Sequence, residues 1–131
     1  MKLLVSALEP SANLHLENLL SQTSGVELHG IFDEKFGAPL FSQKEFSVMG
    51  FVDAFKKLFL AKRAIKELAK EAEHCDKVLL IDAPAFNILL AKAIKKLYPN
   101  KEIIYYILPK VWAWKNSRIA VVERYTDVQA Y

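Results

Sequence analysis

The residue best placed to do chemistry is Asp82, which directly follows the apolar run Val78-Leu79-Leu80-Ile81. A carboxylate at the end of such a run is partly desolvated, which equips it to take a proton from a substrate hydroxyl. The competing role for it is structural, an aspartate that binds loop amides. Glu9 and Ser11 stand in the loop after the first apolar run, where they can meet a ligand or face water, and Ser11 can also help cap a helix. Asn13 and Asn87 each directly precede a helical pattern, so capping an unpaired backbone N–H is the first role expected of both. His15, His29 and His74 lack His-x3-His spacing, and Cys75 has no second cysteine beside it, so no metal site is expected. A Ser11, His15, Asp82 triad can be written but has no Gly-x-Ser-x-Gly context, and neither a Gly-x-Gly-x-x-Gly turn nor a P-loop is present.

These residues need elements to carry them. Leu3, Leu4 and Val5 read as a strand, and Leu14, Leu16, Leu19 and Leu20 place a helix over Asn13 to Ser21. Val26 to Phe32 reads as a second, half-buried strand, and Asp33 to Ser47 as an irregular connection with small extended pieces near Leu40 and Phe41. The clearest helix carries Phe55, Leu58, Phe59, Ile65, Leu68, Ala69 and Ala72 at three- and four-residue intervals. Lys77 to Asp82 suits a strand covered on both faces, Asn87 opens a helix that Tyr98-Pro99-Asn100 stops, and Ile103 to Leu108 is the next buried strand. A short helical stretch from Asn116 to about Arg124 and an apolar fragment, Val128 to Tyr131, follow. Strands alternating with helices predict a single α/β domain over residues 1–131, a Rossmann-like open parallel sheet with helices on both faces. In such sheets ligands bind beyond the carboxyl ends of the strands, which gathers 9–13, 82–87 and 109–115 on one rim.

Composition narrows the classes. The chain has 131 residues, 53% of them hydrophobic, enough for one core and incompatible with general disorder. Eighteen basic against fifteen acidic residues leave a net charge of +3, too mild and too mixed for a nucleic-acid partner to be expected. One cysteine excludes an internal disulfide and agrees with a reducing compartment. The run after Lys2 is too short for a signal peptide, and nowhere do roughly eighteen apolar residues follow one another. Membrane contact is therefore expected to be peripheral at most. A surface for it is present: Val48, Met49, Phe51, Val52, Phe55, Leu58, Phe59 and Leu60 carry more apolar bulk than one helical stripe needs, bordered by Lys56, Lys57, Lys62 and Arg63. That stretch fits acyl-chain or membrane-interface contact, or simple core packing.

Three segments, Phe46-Ser-Val-Met-Gly-Phe-Val52, Ile81-Asp-Ala-Pro-Ala-Phe-Asn87 and Val111-Trp-Ala-Trp-Lys115, occur in an order and spacing that resemble the lipid-A-disaccharide synthase family over nearly the whole chain. The resemblance is to the amino-terminal part of a longer, two-lobed GT-B glycosyltransferase. It implies transfer of 2,3-diacylglucosamine from UDP-2,3-diacylglucosamine to the 6-hydroxyl of 2,3-diacylglucosamine 1-phosphate, with inversion and without metal or other cofactor. Asp82 becomes the general base, Val48, Phe51, Val52, Phe55 and Phe59 the acyl-chain or membrane contact, and Glu9, Ser11, Asn13, Met49, Asn87, Trp112, Trp114, Lys115 and Arg118 the substrate-binding set. With the single cysteine, it implies a cytoplasmic protein held peripherally at the inner membrane.

The chain departs from the family pattern at defined places. Where the family's first loop reads Gly-Glu-x-Ser-Gly-Asp, this one reads Leu8-Glu9-Pro10-Ser11-Ala12-Asn13, without either glycine or the final acid. Ala85 replaces a second acid, and Lys115 replaces an arginine that would bind bidentately. The chain also ends as though truncated before the lobe that would hold UDP, so it is not expected to turn over alone. Two other classes accommodate the same residues: a standalone Rossmann-like domain binding a ligand or a protein, and a membrane-associated interaction domain resting on Phe51 to Leu60.

Overall fold

The structure, a computed structural model, describes residues 1–47, 54–106 and 124–130. Its elements run β1 (Lys2–Ser6), α1 (Pro10–Ser21), β2 (Glu27–Phe32), a 3-10 turn (Glu34–Phe36), β3 (Phe41–Ser42), α2 (Gln43–Ser47), α3 (Ala54–Glu71), a second 3-10 turn (Ala72–His74), β4 (Lys77–Ile81), α4 (Pro84–Leu97), β5 (Glu102–Tyr106) and β6 (Val128–Ala130). The described strands form one six-stranded sheet in the order β3-β2-β1-β4-β5-β6, and every pairing is parallel. This is the Rossmann-like α/β arrangement expected.

Period-two alternation divides the strand residues between two layers. Leu4, Val78, Leu80, Ile103 and Tyr105 pack with Leu68, Ala69 and Ala72 and with Leu90, Ala91 and Ile94 of α4. Leu3, Val5, Leu79 and Ile81, with Ile104 and Tyr106 at their margin, pack with Ala12 and Leu16 of α1. Helices thus cover both faces. Gly30 makes the tight β1–β2 contact possible: its φ is 110°, and a Cβ there would lie 2.3 Å from the Val5 carbonyl oxygen.

The chain winds outward from β1 through β2 to β3, then returns beside β1 as β4 and winds the opposite way through β5 to β6. Consecutive crossovers therefore leave β1 and β4 toward opposite faces, opening a crevice beyond their carboxyl ends. The register Ser6↔Leu80 sets those two ends side by side.

Three expectations need correction. The helices of the first and second halves begin at Pro10 and Pro84, not at Asn13 and Asn87, so neither asparagine is a cap. Proline at a helix start has its φ already set and lacks only an N–H that would be unpaired there, so it opens the helix where it looked like an interruption. Second, of the two readings left open for the apolar stretch of α3, simple core packing is the one that fails: Ala64, Leu68 and Ala69 are buried, while Phe55, Leu58 and Phe59 are exposed. Third, β2 is half-buried only at its start, and Gly30, Ile31 and Phe32 are fully enclosed. The connection over 33–47 contains the expected extended piece, Phe41–Ser42.

Candidate active site

The turn after β4 is tight and strained. Only Asp82 and Ala83 separate the strand from α4, and both have left-handed backbones, φ 51° and 41°. Asparagine and aspartate tolerate this region better than other non-glycine residues, whereas alanine there costs roughly 1–2 kcal/mol. Such a conformation persists only where its surroundings over-determine it. Here they do: the Asp82 N–H donates to the Tyr106 carbonyl at 2.9 Å, and the Asp82 carbonyl accepts from Asn87 Nδ2 at 2.8 Å and from the Tyr105 hydroxyl at 2.5 Å. Asn87 Nδ2 also reaches the Ile81 carbonyl at 3.2 Å.

With its main chain engaged in this way, Asp82 presents a half-buried carboxylate that makes no hydrogen bond or ion pair among the described residues. Among the described residues its side chain binds no loop amide, the structural alternative to the chemical role. Asn87 is fully buried; both its carboxamide hydrogens point to main-chain carbonyls, and its Oδ1 has no hydrogen-bond partner among the described residues. Edge-to-face contacts from Phe86 to Phe46, with centroids 5.7 Å apart, and from Phe46 to Phe41, 6.0 Å apart, buttress the start of α4 against β3 and α2.

The loop after β1 lies on the same rim. Glu9 in that loop and Ser11 in the first turn of α1 are exposed, so their carboxylate and hydroxyl are open to a ligand. Asn13 is buried and its carboxamide is occupied: Nδ2 donates to the carbonyls of Ala7 (3.2 Å) and Glu9 (2.9 Å), and Oδ1 accepts from the Asp33 N–H (2.8 Å). The His15 ring meets that of Tyr106 at a tilt of 42°, centroids 5.3 Å apart, beside the turn that carries Asp82.

Along α3, Phe55 is 87% and Phe59 68% exposed. Leaving each ring in water forgoes roughly 1.5–3 kcal/mol of burial. With Lys56 and Leu60 they line an open groove of about 510 Å³, and Leu60 continues into a second groove of about 320 Å³ with Leu40, Phe41, Phe46, Glu45 and Arg63. Val48, Met49, Phe51, Val52, Trp112, Trp114, Lys115 and Arg118 lie outside the described residues. Among the described residues no helix is long and apolar enough to cross a membrane, and no three His, Cys, Asp or Glu side chains are grouped to hold a metal ion.

Sequence reasoning missed Tyr105. The alternation of β5 predicts its burial but carries no signal that its hydroxyl reaches across to the neighbouring strand's turn.

Comparison with known proteins identifies the lineage. The family model for lipid-A-disaccharide synthetase matches residues 3–130. A lipid-A-disaccharide synthase of Campylobacter jejuni is 49% identical over 97% of this chain, and one of Helicobacter pylori is 48% identical over 95% of it. The chain spans 38% and 34% of the length of these two relatives. A match running from the first strand to the last, at close to half identity, establishes that the chain belongs to the lipid-A-disaccharide synthase family.

Proposed function

We propose that this chain forms the acceptor-side lobe of a lipid-A-disaccharide synthase and that Asp82 is its general base. The observation that carries the reading is the Asp82 carboxylate, raised on a two-residue left-handed turn at the carboxyl end of a central strand and free of side-chain partners among the described residues. The family match over residues 3–130 weighs for an enzyme lobe over an independent binding module.

An alcohol is a weak nucleophile at neutral pH. In the proposed reaction an Asp82 oxygen takes the proton of the acceptor's 6-hydroxyl as that oxygen bonds to the donor's anomeric carbon. The bond from that carbon to the diphosphate breaks on the opposite side, releasing UDP and inverting α to β. Glu9 and Ser11 are the described rim side chains open to the acceptor, and the proposed contact set extends to Met49, Trp112, Trp114, Lys115 and Arg118, while the buried Asn13 and Asn87 shape the rim by tying its main chain. Donor binding falls to a second lobe, a partner that supplies the UDP site. The exposed rings of Phe55 and Phe59, with Val48, Phe51 and Val52, hold the acyl chains or the cytoplasmic face of the inner membrane, with Lys56 beside the lipid phosphates.

Asp82→Asn in the full chain that carries this sequence tests the mechanism, because asparagine suits the left-handed backbone but cannot accept the proton. Disaccharide formation falls roughly a hundredfold to ten-thousandfold; near-normal turnover removes Asp82 from the role. Replacing Phe51, Phe55 and Phe59 together by serine weakens binding to liposomes, and unchanged binding by a folded variant counts against the docking surface.

A further inference from the structure

We propose that Tyr105 is a positioning residue for the reaction, its hydroxyl holding the Asp82 carbonyl and thereby fixing the turn that aims the carboxylate. The inference rests on the reading of Asp82 as general base. It begins with register. Tyr105 pairs with Leu80 and Tyr106 with Ile81, so the two tyrosines stand directly beside the end of β4. Alternation turns them to opposite faces, Tyr105 into the α3–α4 layer and Tyr106 toward α1. Consecutive residues of β5 consequently grip Asp82 from two directions: the Tyr106 main-chain carbonyl takes its N–H, and the Tyr105 side-chain hydroxyl reaches past Ile81 to its carbonyl.

Tyr105 is fully buried, and a phenol in that position needs a partner for its O–H. Among the described residues its hydroxyl donates to the carbonyl of the left-handed residue itself. Asn87 Nδ2 binds the same oxygen from the helix side, so that oxygen sits between a donor from β5 and a donor from α4. Rotating Asp82 toward an ordinary negative φ would swing this peptide and break both bonds. The carboxylate has no side-chain bond among the described residues to orient it, so its direction depends on the backbone beneath it. A misplacement of about 1 Å at a reacting group can cost roughly a hundredfold in rate.

A tyrosine that merely stabilised the loop would show a different signature, and a four-protein cycle separates the two. Wild type, Tyr105→Phe, Asp82→Asn and the double variant are made in the full chain and assayed for disaccharide formation below the lowest of their melting temperatures. Phenylalanine keeps the ring volume, so the core is retained. The expected result is a kcat for Tyr105→Phe lower by roughly ten- to a hundredfold with KM within about twofold, and no further loss when Tyr105→Phe is added to Asp82→Asn. A normal kcat with a lowered Tm overturns the proposal and makes the hydroxyl structural. An equal loss in both backgrounds overturns it too, since Tyr105 would then act other than through Asp82. Retained turnover in Asp82→Asn alone is the separate failure of the general-base reading and takes the positioning role with it.

Discussion

The molecule makes the same strand-to-helix turn twice, after β1 and after β4, and uses the same device in both. Each helix opens on proline, and the asparagine three residues on, Asn13 or Asn87, sends its carboxamide hydrogens back to two carbonyls of the incoming chain. The differences lie in length and completion. The first turn has three residues, Ala7 to Glu9, with no positive φ among them, and Asn13 Oδ1 is satisfied by the Asp33 N–H. The second has two residues, both left-handed, and Asn87 Oδ1 is buried without a hydrogen-bond partner among the described residues. The connection shorter by one residue reverses the chain through a left-handed conformation, and it ends the strand on a half-buried carboxylate with no side-chain partner among the described residues. The relaxed turn is tied at every carboxamide atom of its asparagine, and the strained one carries Asp82.

This contrast can be broken first by removing each asparagine. Asn13→Ala abolishes three hydrogen bonds and strands the Asp33 N–H, a loss of about 2–4 kcal/mol in urea unfolding. Asn87→Ala removes two bonds and also an unpartnered acceptor, so it costs roughly 1 kcal/mol less. The reverse order would show that the second turn bears the greater structural burden. Next is the strain itself. At Ala83, valine lowers stability by roughly 1–3 kcal/mol, whereas glycine relieves the left-handed backbone and leaves stability unchanged or raised by up to about 1 kcal/mol in thermal denaturation.

The smallest effect is at the far end of the second half, where Asp127 clips β6 to its neighbours. Its carboxylate accepts from the Ile103 N–H and from Lys95 Nζ, each at 2.7 Å. Partial burial pushes its pKa upward, but these two donors and the Lys95 charge outweigh it and hold it below the ordinary value. A carboxylate whose pKa is depressed by folding stabilises the fold above its unfolded pKa, near 4, and that contribution disappears as pH falls through the lower folded value. Asp127→Asn therefore flattens the acid limb of the stability profile slightly while leaving the Asp82 turn untouched; an unchanged acid limb would mean the clip contributes nothing.

Much of the architecture was legible in the residues. The runs at Leu3–Val5 and Val78–Ile81 announced buried parallel strands, and the crossovers between them required an open sheet, because an apolar strand must be covered on both faces. Helix starts were misplaced by three residues at Pro10 and Pro84, since proline marks both a break and a first turn and only the path of the chain decides which. The α3 pattern showed more apolar bulk than one stripe needs and left core packing and surface contact both open for Phe55 and Phe59, because periodicity ranks faces of a helix without saying how far its partner extends; the fold leaves both rings exposed. The strand-end position of Asp82 was visible, while its left-handed backbone and its hold by Tyr105 were not.

Sequence alone determined the alternation of strands and helices, the family motifs and the placing of an acid at a strand's end, because these follow from local hydrophobic pattern and chain order. Tertiary structure alone decided that Asp82 stands on a strained turn, that Asn13 and Asn87 are ties rather than caps, and that a tyrosine from the next strand grips the acid's carbonyl. Those facts depend on the register between strands and on hydrogen bonds between residues far apart in the chain, which no local pattern encodes.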